Sequence, residues 1–82
     1  MTESLKNLWA ELHVGLSTLV GELEESLPAE NLKIICEFID NREYGIALEW
    51  LRKVVDRTSI RLSDNQKHLV QRLAHRMNIS LK

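Results

Sequence analysis

The chain has 82 residues, 44% of them hydrophobic and 28% charged, with one proline and three glycines. A chain of this length has room for one domain with one core, burying about 60–65% of its unfolded surface, and the composition excludes a disordered tail or a low-complexity linker. The net charge of −1 conceals a division: residues 1–49 carry ten acids against three bases, a balance of −7, and residues 50–82 carry two acids against eight bases, a balance of +6. Such poles either attract each other within the fold, or one of them addresses a partner of opposite charge.

Along the chain, Leu5, Leu8, Trp9, Leu12, Leu16, Leu19, Val20 and Leu23 recur at spacings of three and four, which keeps them on one face of a helix over 3–26. Thr2 is its expected N-cap, and Gly15 and Gly21 are expected away from the apolar stripe, where they permit a bend or a close approach. Ser26-Leu27-Pro28 punctuates the chain, because proline restricts the residue before it and suits the first turn of a new helix. The second helix is predicted over 28–41, with Leu32, Ile35, Cys36 and Ile39 facing inward and Ile34 and Phe38 on a second apolar side. Asn41-Arg42-Glu43 is a tight link, so the third helix, over 43–58, folds back on the second. It presents Ala47, Leu48, Leu51, Val54 and Val55 to the core, with Trp50 on its flank. Ser63-Asp64-Asn65-Gln66 matches the capping box and opens the fourth helix, over 64–77, whose apolar face is Leu69, Val70, Leu73, Ala74 and Met77. Asn78 is expected to end it, with Ile79 and Leu81 packing beneath the bundle. No alternating strand pattern and no internal repeat occurs, so the fold class is all-α: one domain over 1–82, a compact bundle of four helices.

The single cysteine, Cys36, excludes an intramolecular disulfide, the first residues lack the layout of a secretory signal, and no apolar run reaches the roughly 20 residues that span a bilayer. The expected setting is a reducing cytoplasm without membrane contact. Cys36 lies on the apolar stripe of an acidic helix, where a core position and a protonated thiol are expected rather than a nucleophile. His68 and His75 stand seven residues apart, two helical turns or about 10 Å, too far to share a metal, and no phosphate-binding glycine loop occurs. Glu30, Glu37 and Asp40 share one side of the second helix, in a solvated rather than catalytic setting. The expectation is a protein that is not an enzyme, with no catalytic residues, no metal, no cofactor and no small-molecule substrate. A helix-turn-helix reading of the basic half, with Arg72, His75 and Arg76 outward, lacks the usual glycine turn, so nucleic acid ranks below a protein partner.

The segment from Glu37 to Glu49, EFIDNREYGIALE, together with Ile60-Arg61-Leu62-Ser63 and Met77-Asn78-Ile79, resembles the MafI-type immunity proteins, a group akin to the immunity proteins of contact-dependent growth inhibition. The likeness covers roughly residues 32–80. It implies an antidote that binds and neutralises a cognate toxin domain, often a nuclease, by stoichiometric protein–protein interaction. A nuclease carries a cationic phosphate-binding cleft, which an acidic surface can occupy while steering association. On that reading the partner-binding residues are Glu30, Glu37, Asp40 and Glu43, pairing with basic side chains, and Tyr44 as a low-entropy aromatic contact. The alternative for Tyr44 is packing within the hairpin. The alternative for the whole chain is an adaptor or self-associating bundle, a homodimer through Ile34 and Phe38 with Ile46 beside them.

Overall fold

The computed structural model describes residues 5–77. Four helices follow one another, α1 (Leu5–Leu23), α2 (Ala29–Asp40), α3 (Tyr44–Thr58) and α4 (Asp64–Arg76), and no strand occurs among the described residues. The all-α bundle predicted from the spacing of apolar residues is the fold. Thr2, Asn78, Ile79 and Leu81 lie outside the described residues.

The core is built from the expected stripes. Leu12, Leu16, Leu19, Val20 and Leu23 of α1 meet Ile35 and Ile39 of α2, Ala47, Leu48, Leu51, Val54 and Val55 of α3, and Val70, Leu73 and Ala74 of α4. Each fully buried leucine contributes about 1.5–3 kcal/mol. No polar or charged residue is buried among those described. Among the described residues, α1 and α3 each touch all three other helices, whereas α2 and α4 do not touch each other. The α1–α3 pair is therefore the spine, with α2 and α4 on either flank.

The ends of the helices follow from local chemistry. α1 stops at Leu23, earlier than its stripe suggested, because the amides of Ser26 and Leu27 both turn back to the Leu23 carbonyl and Leu27 is drawn into the core. Pro28, with φ −58° and ψ 138°, stands just before α2 and its carbonyl accepts from the Leu32 amide. At the other end of α2, Arg42 adopts a left-handed conformation, φ 61°. Its amide donates to the Ile39 carbonyl and the Glu43 amide to the Phe38 carbonyl, at 3.0 and 2.8 Å. These are the paired bonds of a Schellman turn with arginine where glycine is usual, a placement that costs about 1 kcal/mol of backbone strain. α3 ends the same way: Ser59 has φ 59°, and the Ile60 amide reaches the Val55 carbonyl while the Ile60 side chain packs against the core. At α4 the capping box is complete, the Ser63 hydroxyl accepting from the Gln66 amide and the Gln66 side chain from the Ser63 amide.

The close approach allowed for at Gly15 is present, but the place expected for that residue is overturned. Gly15 does not lie away from the packing surface but faces α4, and a Cβ there would stand 2.7 Å from Cδ2 of the buried Leu73. The wheel of α1 alone shows one stripe; with helices on several sides, the buried sector widens to include Gly15. Gly21 faces open space, and α1 runs through both glycines without interruption. Gly15→Ala is accordingly expected to lower stability by about 1–2 kcal/mol, overpacking outweighing helix propensity, while Gly21→Ala raises it by about 0.5–1 kcal/mol. Urea unfolding of the two variants measures this, and equal gains in both would contradict the close approach of α1 and α4.

Candidate functional site

The two charge poles meet at only a few places among the described residues. Glu11 of α1 lies 3.6 Å from Arg72 and 3.3 Å from Arg76 of α4, and Glu22 accepts a hydrogen bond from the Gln66 side chain at 3.0 Å. Attraction within the fold thus accounts for Glu11. Glu30, Glu37, Asp40 and Glu43 are exposed, and none of their carboxylates forms an ion pair or a hydrogen bond with a described residue. Glu30 stands in the first turn of α2, where the positive end of the helix dipole favours it. Glu37 and Asp40 occupy the last turn, where the negative end disfavours a carboxylate and which holds no basic residue of its own. Glu43 precedes α3 and makes no side-chain cap bond. Three carboxylates therefore gather around the C-terminal end of α2 and the link beyond it.

Tyr44 does not join them on the surface. It is 6% exposed and belongs to the core, its hydroxyl 3.3 Å from Nδ1 of His13 and its ring edge-on to the imidazole, with centroids 6.0 Å apart. As the first residue of α3, directly after a turn that reverses the chain, Tyr44 points back toward α1 and fastens the hairpin to it. The packing alternative describes its ring, and the expected exposed aromatic contact is corrected.

A groove of about 370 Å³ opens beside this hairpin, lined in part by Lys6, Trp9 and His13 of α1, Asp40 of α2, Arg42 of the link and Tyr44 of α3. The Arg42 guanidinium lies over the Trp9 ring, 4.9 Å from its centroid. The sequence reading missed this cluster, because Trp9 and Arg42 are far apart in the chain and no local spacing links them. The one signal was an arginine at the position after a helix where glycine is usual.

On the other side of α2, the Trp50 indole donates to the Asn31 side chain at 3.2 Å and its ring meets Phe38 with centroids 6.0 Å apart. Ile34 and Phe38 are half-buried, whereas Ile46 is 47% exposed. The second apolar side of α2 is thus covered in large part by α3, with its edge at Ile46 and Trp50. His68 and His75 are exposed, and among the described residues no group of three or more His, Cys, Asp or Glu could hold a metal ion.

Cys36 is also corrected: it is exposed, not a core residue. It sits at the rim of the buried sector of α2, in a second groove with Gly21, Glu24 and Asp40. Partial loss of hydration, then the charges of Asp40 and Glu24, push its thiol above the ordinary value. A raised pKa leaves less thiolate at neutral pH, so alkylation by iodoacetamide at pH 7 is expected to be slower than that of a free cysteine and to keep rising with pH beyond the usual thiol range. Asp40→Asn should accelerate it. A rate at pH 7 equal to that of free cysteine would contradict this electrostatic setting.

No protein-family model, no curated protein and no solved structure matches this chain.

Proposed function

We propose that this chain is an immunity protein of the MafI type, which binds a cognate growth-inhibition toxin domain and neutralises it stoichiometrically, without turnover and without a cofactor. The observation that carries the reading is the position of Glu37, Asp40 and Glu43: exposed, without ion pairs among the described residues, and for Glu37 and Asp40 at the unfavourable end of a helix. Charges placed against local stability are explained by an interaction outside the fold, and a cationic cleft, such as that of a nuclease, is the complementary partner. In this mechanism Glu37, Asp40 and Glu43, with Glu30 further along α2, pair with basic side chains of the toxin. Tyr44 acts from beneath, holding the hairpin that presents them.

A second reading, self-association, draws on a different observation, the apolar edge formed by Ile46 and Trp50 beside the half-buried Ile34 and Phe38. It predicts a concentration-dependent dimer in sedimentation equilibrium without any toxin.

The primary reading is tested by expressing the protein encoded beside this chain. That protein alone should arrest growth, and the wild-type chain should relieve the arrest and co-purify with it. Changing Glu37, Asp40 and Glu43 together to alanine should abolish protection at equal expression, while stability stays within about 0.5 kcal/mol, as for exposed surface positions. Full protection by the triple variant would reject this surface, and a harmless neighbour that does not bind would reject the immunity reading.

A further inference from the structure

We propose that the groove between α1 and the α2–α3 link is an anion-binding notch that takes a carboxylate side chain of a partner protein, held by Arg42 and Lys6 beside the aromatic surface of Trp9. The proposal rests on the protein-binding reading above only in assigning the carboxylate to a partner.

The argument starts from scarcity. Residues 1–49 hold just three bases, Lys6, Lys33 and Arg42, and two of them line this one groove together with His13. Within a half of strongly negative balance, that brings two cations into one groove, with Asp40 as the acid beside them. Arg42 is the centre of the arrangement. Its φ of 61° suits glycine far better than arginine, so the backbone gives no reason for arginine here. What the side chain supplies is a planar guanidinium laid over Trp9 at 4.9 Å, already oriented, and in no ion pair with a described residue. A stacked guanidinium keeps its N–H edge for bidentate contact with a carboxylate.

His13 forms part of the wall and is held in place through Tyr44, 3.3 Å from its Nδ1. In the tautomer where the Tyr44 hydroxyl donates to Nδ1, the other ring nitrogen carries its hydrogen and becomes a further donor. A volume of about 370 Å³ accommodates a whole side chain with part of its backbone. Asp40 also lines the groove, and its charge decides between anions: a doubly charged phosphate is repelled more strongly than a singly charged carboxylate. A partner suited to this end of the bundle would then present basic residues toward Glu37, Asp40 and Glu43 and one acidic residue toward the notch. That mixed pattern would fix the register of docking as well as attract.

The test uses the isotope-labelled full chain and three probes at constant ionic strength: glutamate blocked at both backbone ends, the equivalent blocked glutamine, and inorganic phosphate. The Trp9 indole and the amides of residues 42–44 report binding, with the Trp50 indole as internal control. Blocked glutamate should give saturable shifts at Trp9 with a Kd of about 1–10 mM, as expected for a single small contact site. Blocked glutamine should give none, and phosphate should bind more weakly than glutamate. Arg42→Gly keeps a residue suited to the turn, so the fold is retained, and it should weaken glutamate binding by about fivefold or more. Arg42→Lys, which keeps the charge but loses the planar stack, should fall between the two. Absence of saturation, equal shifts with blocked glutamine, unchanged binding by Arg42→Gly, or tighter binding of phosphate would each overturn the proposal. Because no toxin takes part, failure here leaves the acidic-face test standing, and failure of that test leaves this titration interpretable.

Discussion

The packing of α1 against α3 is the contact on which everything else depends. Leu16 and Leu19 from one helix and Leu48 and Leu51 from the other are among the most completely buried side chains, and these two helices alone reach both of their companions as well as each other. Their contact sets α2 and α4 on opposite flanks, without a contact between them. α2 carries Glu30, Glu37 and Asp40, whereas the helical bases of the second half are divided between α3, with Arg52, Lys53 and Arg57, and α4, with Lys67, Arg72 and Arg76. Among the described residues, α1 meets the basic half through Glu11 with Arg72 and Arg76 and through Glu22 with Gln66.

The hairpin of α2 and α3 converts that topology into a defined surface. Its link is closed by backbone bonds around Arg42 and fastened to α1 at two points, by the Arg42 side chain over Trp9 and by Tyr44 against His13. The same side chains that hold the link therefore border both the acidic end of α2 and the groove beside it. A partner meeting this end of the bundle encounters groups of both signs on backbone that is tied down on two sides, so little ordering is needed on binding. That the strained residue is an arginine rather than a glycine fits a surface shaped for contact more than for stability alone.

The helices and most of the core were legible in the sequence because each helix is amphipathic and its signals agree: apolar spacing, Pro28 ahead of α2, and the capping box at Ser63. The stripe of α3 lies in the core residue for residue. What failed were positions at the edges of stripes. A helical wheel gives the direction of a side chain but not how far the neighbouring helix extends, so Cys36 looked inward and is exposed, while Gly15 looked outward and is pressed against Leu73. For Tyr44 the sequence carries both readings, since a tyrosine at a helix start suits surface or core, and only its approach to His13 decides. The carboxylates were found because charge is a property of the sequence itself. The groove was not, because its two halves come from α1 and the distant link and meet only in the folded chain.

The central claim, that the exposed carboxylates at the end of α2 steer this protein onto a cationic partner, is tested most directly by the association rate with the proposed toxin domain as a function of ionic strength. Raising salt from about 0.01 M to about 1 M shortens the screening length from about 30 to about 3 Å. The account predicts that the rate falls by about tenfold or more over this range, as for electrostatically steered encounters. A rate that stays flat across the range would contradict it.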